Sequence, residues 1–254
     1  MASSTLSDAF AQAATLVVQA DASLLEIISL SFKVSISAVI FATIIGIPTA
    51  LLMAVYQFRG RKVLHILIDT LMALPPVVVG LVVYLILSNN GPLGIWGLLY
   101  TPAAMIIAQT LLITPIVIAL ALPVFSQHWL NIGEQMLLLG LKRRHCFGVL
   151  IKESSNSLIT VVLAAFGRAI AEIGAVMIVG GNIENHTRVM TTAIAMETRQ
   201  GNLALALALG LVLILCALLI NASAHFCNYW YGHRVGQQLL LSLPNSYGKN
   251  HEKQ

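Results

Sequence analysis

The sequence predicts an all-α integral membrane protein with five transmembrane helices, and three observations carry that prediction. Of 254 residues, 58% are hydrophobic and 9% charged, against about 45–50% and about 25% in soluble domains. So few charges cannot solvate a globule of this length, which excludes a water-soluble enzyme. No Asp, Glu, Lys or Arg occurs from Thr70 to Gly133 or from Gly201 to His233, and both stretches are too long for buried core helices. The apolar runs also have the length, roughly 20 residues, that a bilayer requires.

The five runs are Val34 to Val55, Ile66 to Leu87, Tyr100 to Phe125, Ser157 to Gly181 and Leu203 to Cys227. Ser88, Asn89, Asn90, Gly91, Pro92 and Gly94 separate the second from the third, because no helix tolerates that cluster. Helix breakers or small residues sit in four of the five: Gly46 with Pro48, Pro75 with Pro76 and Gly80, Pro115, and Gly174 with Gly180 and Gly181. They suit a bundle that rearranges, although Pro and Gly are commoner in membrane helices generally.

Cytoplasmic loops retain Lys and Arg, so the basic residues set the orientation. Arg59, Arg61 and Lys62 follow span one; Lys142, Arg143, Arg144 and Lys152 follow span three; Arg234, Lys249 and Lys253 lie in the tail. The opposite side carries Arg188 and Arg199. Ten against two places the N-terminus outside and the C-terminus in the cytoplasm, and makes the net charge of +4 a topology signal, with no nucleic-acid partner required. Residues 1–23 lack a basic stretch followed by an apolar one, so a cleaved signal peptide is not expected. Ser7 and Asp8 open an apolar-sided segment through Phe10, Ala14, Val17 and Val18, suited to the outer interface. The expected organisation is an interfacial segment over 1–23, a transmembrane domain over 24–231 and a polar tail over 232–254. Cys146, Cys216 and Cys227 have no CxxC spacing and imply neither a disulfide framework nor a metal site.

Arg168 and Glu172 fall about 11 and 15 residues into span four, near the membrane centre at about 1.5 Å per residue. At i and i+4 they share a face and can pair. A charge at that depth costs on the order of 2.5–3.5 kcal/mol and must face protein or a water-filled path. Two readings follow: an ion pair that locks packing, or a pair that handles substrate. The connection 126–156 is long for a compact bundle and must have its own structure. Asn131 followed by Glu134 resembles a capping box, opening a helix through Met136, Leu137, Leu138 and Leu139 to Gly140 and the basic Lys142, Arg143 and Arg144. Such a helix lies on the membrane or inserts into a cytoplasmic partner.

Glu134, Gly140 six residues on, and the aliphatic Leu150 and Ile151 resemble the coupling loop of permease subunits of ATP-binding-cassette importers. That motif reads Glu-Ala-Ala, three residues, Gly, nine residues, Ile, one residue, Leu-Pro. Here Gln135 and Met136 replace the alanines, and Lys152 and Glu153 stand at Leu-Pro. LPPVVVG (Leu74 to Gly80) resembles the second-span motif of molybdate and tungstate permeases. GRAIAEIGAVMIVGGNI (Gly167 to Ile183) and TRVMTTAIAMETRQGN (Thr187 to Asn202) are similar to the tungstate branch.

The resemblance implies a homodimeric permease that carries a tetrahedral oxyanion, tungstate with molybdate as its closest rival, from an external binding protein to the cytoplasm. A separate nucleotide-binding ATPase subunit would hold the ATP and dock on Glu134, Gln135, Met136, Leu138, Gly140, Leu141, Arg143 and Arg144. This chain, with no G-x-x-x-x-G-K-[ST] loop, needs no cofactor of its own. Pro75, Pro76, Arg168, Glu172 and Gly174 would line the pathway or gate, and Thr187, Arg188, Thr191 and Thr192 the outer loop. A channel would need a selectivity filter, and no TVGYG-like run or ring-forming acidic cluster appears in the outer loops. An intramembrane enzyme would need a catalytic set, and neither H-E-x-x-H nor G-x-S-x-G occurs.

Overall fold

The computed structural model describes residues 11, 13–15 and 22–242, without the side chains of Glu134 and of the residues after Ser223. The helices are α1 (Ala22–Val55), α2 (Arg61–Ala73), α3 (Pro76–Leu87), a 3-10 turn (Gly94–Trp96), α4 (Pro102–Leu138), α5 (Arg143–Ile170), α6 (Gly174–Gly180), α7 (Met190–Gln200) and α8 (Leu203–Ser242). No strand occurs among the described residues. Among the described residues four helices, α1, α4, α5 and α8, are long and apolar enough to cross a membrane, and α2 with α3 adds a fifth if that bent pair is one span. Most of the interfacial segment 1–23 lies outside the described residues, as does the tail beyond residue 242. The 231/232 boundary falls inside α8.

Two expected spans are broken, and the residues at each break explain why. Span two bends by 96° between α2 and α3. Leu74 and Pro75 each precede a proline, which disfavours helical backbone, and both are extended, at ψ 136° and 126°. Pro76 then begins α3, where its missing N–H costs nothing. Span four stops at Ile170 and resumes at Gly174, so the Arg168–Glu172 pair straddles a helix end instead of lying within one helix. Only α6, about 10 Å of helix, remains beyond that break.

The connection 126–156 also differs from expectation. No helix starts at Asn131: α4 runs unbroken to Leu138 over 37 residues, because Trp129, Ile132 and Met136 stay packed on the core and nothing favours a break. Thr101 caps its other end by accepting the Ala104 N–H at 3.4 Å. Gly140 ends α4, with φ +81°. Its N–H bonds Leu137 O at 3.0 Å and that of Leu141 bonds Met136 O at 3.1 Å, the two bonds of a Schellman turn. The connection therefore reduces to four residues, 139–142, between two long helices.

Three apolar clusters hold the bundle. One joins the C-terminal half of α1 to α4 and α5 through Ala50, Val117, Phe125 and Leu150. A second joins α3, α4 and α6 through Val83, Met105, Ala175 and Val179. The third joins the start of α1 to α7 and α8 through Leu24, Met190 and Leu209. In the second cluster backbones nearly touch: a Cβ on Gly80 would lie 2.7 Å from Ala175 Cα, and one on Gly174 2.7 Å from Val77 Cγ2. The two broken spans are thus packed against each other beside their breaks.

Gly80→Val tests that contact. The blocking atom is backbone and cannot swing aside, so we expect a loss of roughly 1–3 kcal/mol, read as a lower thermal midpoint of the purified protein in detergent. An unchanged midpoint would refute close packing of α3 on α6.

Candidate functional site at the paired helix breaks

The site is built around Glu172, a carboxylate 5% exposed between α5 and α6. Its Oε2 accepts from Arg168 Nη1 at 2.8 Å, and its Oε1 accepts the Ala175 N–H at 3.3 Å. Glu172 therefore ties the last turn of α5 to the first turn of α6. Neighbouring elements hold the backbone freed by the break: Gln109 on α4 donates through Nε2 to Ala169 O at 3.0 Å, and Thr191 Oγ1 donates to Glu172 O at 2.8 Å. The Arg168 side chain is 43% exposed, so one face of the guanidinium is open to whatever lies beside the bundle. An isolated cation cannot face lipid cheaply, so that face is suited to protein or a hydrated path.

Helix α7 is part of the site because its first residues reach back to the break. Met190 N–H donates to Ser31 Oγ on α1 at 2.8 Å, and Ser31 donates in turn to Ile27 O at 2.6 Å. From there α7 runs to Glu197, which lines a cavity of about 220 Å³ with Ser23, Glu26, Glu184, Arg188 and Asn202. The chain after α6 thus turns back, and its start meets Glu172 through Thr191. The residues expected in the outer loop serve this shape: Thr187 Oγ1 donates to Gly180 O and accepts the Ile183 N–H, and Thr192 Oγ1 accepts the Val189 N–H at 3.2 Å. Arg188 lies 3.5 Å from Glu184 and 3.7 Å from Glu197. Glu26 lines the same cavity, so its wall holds three carboxylates and one guanidinium, with His186 beside them.

Gly174 lies against Val77, the residue after Pro75 and Pro76, so the two breaks meet there, while Glu172 stands two residues before Gly174. The residues expected to dock an ATPase lie at the opposite end of α4 and α5. Glu134 is on α4 with its side chain outside the described residues; Gln135, Leu138, Leu141, Arg143 and Arg144 are exposed, whereas Met136 is buried in the core. Arg143 stands over the Tyr56 ring at 5.9 Å, and Phe147 meets that ring edge-on at 6.1 Å, joining the turn to the end of α1. Ser31, Gln109 and Glu197 are absent from the sequence-derived site. Gln109 had a signal, as a lone amide in an apolar run, but its partner is 60 residues away.

Residues 46–237 match the family described as binding-protein-dependent transport system inner membrane component, covering both breaks and the Gly140 turn. The chain belongs to that family. This inner membrane component is 41% identical over 217 residues to the tungstate uptake system permease protein TupB of Peptoclostridium acidaminophilum, covering 85% of this chain and 95% of that one. It is 40% identical over 223 residues to the TupB of Campylobacter jejuni, covering 86% and 91%. The sulfate transport system permease protein CysT of Escherichia coli is 30% identical over 205 residues, with 78% and 74% covered. The chain is a multi-pass membrane permease of the importer class.

Substitutions at the pair should be unequal in effect. Arg168→Met leaves a buried carboxylate without its cation, at a cost of about 3 kcal/mol. Glu172→Gln keeps an oxygen for the Ala175 N–H and should cost about 1–2 kcal/mol. The double change Arg168→Met with Glu172→Leu should recover most of the loss, because an apolar pair of similar size removes the buried charge. Thermal unfolding checks the order; a double variant no more stable than Arg168→Met alone would show that Glu172 holds the break by its N–H contact and not by charge.

Proposed function

We propose that this chain is the permease subunit of an ATP-driven importer that passes tungstate from an external binding protein to the cytoplasm. The observation that carries the proposal is its likeness to two tungstate permeases over more than nine-tenths of their length. Molybdate, of nearly the same size, shape and charge, is the second reading within this class. A non-ATP-driven anion channel would leave the Gly140 turn without a purpose. The subunit works as a homodimer with its N-terminus outside and its C-terminus cytoplasmic.

The ATPase docks on the turn between α4 and α5. Leu138 and Leu139 are 87% and 81% exposed there, beside the basic Lys142, Arg143 and Arg144. Adjacent bare leucines in water lose roughly 25 cal/mol for each Å² left uncovered, and a partner surface removes that loss. Closing of the ATPase pair would move the turn, the turn would move α4 and α5, and the equilibrium between inward-open and outward-open packings would shift. Arg168 and Glu172 act as the lock on the paired breaks, joined in both roles to Pro75, Pro76 and Gly174 as the gate.

Reconstitution with the ATPase and binding protein tests the reading directly: tungstate should accumulate in proteoliposomes only with internal ATP, and accumulation without ATP would overturn it. Gly140→Val forces a β-branched residue to φ +81°, so ATPase stimulation by the binding protein should fall at least several-fold; stimulation equal to wild type would reject docking at this turn. Orientation has its own check in a background without native cysteines. Cysteines at Asn90 or Glu184 should react with an impermeant external thiol reagent and those at Gln57 or Lys142 should not, whereas the reverse pattern would invert the topology.

A further inference from the structure

We infer that a single water molecule is bound beside the break between α5 and α6, in a small cavity of about 10 Å³ lined by Ser31, Ser35, Gln109, Glu172 and Thr191, with Val34, Ile170 and Val189 completing its wall. Gln109 is 3% exposed, and its Oε1 has no hydrogen-bond partner among the protein groups. A buried acceptor without a donor costs about 1–3 kcal/mol, and this one opens on a polar cavity. The donors around it are engaged elsewhere: Ser31 with Ile27 O, Thr191 with Glu172 O, and one Gln109 N–H with Ala169 O. What remains on offer is mainly acceptor capacity, at Gln109 Oε1 and the Glu172 carboxylate, with the second Gln109 N–H as a donor and the Ser35 hydroxyl serving in either direction.

That imbalance selects the ligand. An oxyanion needs donors and would meet a carboxylate, so this cavity rejects it. A hydrogen-bond donor fits, and the volume limits it to one water, which needs about 10–15 Å³ and two to four polar partners. The water would donate to Gln109 Oε1 and to Glu172 or Ser35, joining α1, α4 and the break between α5 and α6 through one exchangeable molecule. The inference does not depend on which anion is carried.

Hydroxyl-radical labelling of the full chain in lipid nanodiscs, with a millisecond X-ray pulse and mass spectrometry, tests it. Radicals from a bound water modify the side chains around it. Val34, Ile170 and Val189 should be labelled, while Ile113 and Val117, equally buried in the apolar core, should stay silent. Gln109→Met, which removes the open acceptor, should abolish labelling at the three lining residues. Lining residues as silent as the controls, or labelled together with them, would overturn the inference without the variant. Labelling that persists in Gln109→Met would overturn the role given to Oε1.

Discussion

A carboxylate buried between two helix ends is the constraint on which the rest of this molecule depends. The Glu172 carboxylate must be compensated, by Arg168 from the end of α5 and the Ala175 N–H from α6, while Thr191 from α7 donates to the Glu172 main-chain carbonyl. Gln109 holds the carbonyl three residues earlier. Breaking a helix inside an apolar bundle leaves polar backbone exposed to a medium that cannot solvate it, and these contacts repair the damage. The reversal of the chain before α7 follows from the same need, since Thr191 reaches the Glu172 carbonyl only if the chain turns back after α6.

The helical class and the four long apolar helices were legible because they rest on composition and length alone. A stretch without charge from Thr70 to Gly133 has few folded alternatives. The breaks were half legible. Pro75 and Pro76 mark the bend in span two on local grounds, since proline restricts its predecessor wherever it stands. Nothing as local marks the break after Ile170, where Gly174 is the only hint and tertiary hydrogen bonds decide. The supposed helix start at Asn131 failed for the converse reason: a capping pattern in sequence has no force when the residues before it are already helical and their apolar sides remain packed.

The candidate site divides in the same way. Arg168 and Glu172 were found because charges in an apolar span are conspicuous, and their i, i+4 spacing permitted the pair. Ser31 and Gln109 are ordinary residues whose importance comes from partners 159 and 60 positions away. The threonines of the 187–192 segment stood out as polar residues, and their hydroxyls serve the backbone of the turn and of the break, which spacing could not reveal. At the other end, Gly140 was legible as a helix terminator, because a positive φ is what glycine at that place in a Schellman turn provides.

The length of α4 has a mechanical consequence. At 37 residues, about 55 Å, it carries Gln109, and with it the support for the broken span, on the same continuous helix as the exposed Leu138 near Gly140. A tilt imposed at one end of such a beam is felt at the other without relay through side-chain contacts. Pro115 and Pro123 interrupt its hydrogen bonding between those two points, so they set its bending stiffness. A displacement at the turn would have to pass both prolines to reach Gln109, and their compliance would decide how much of it arrives.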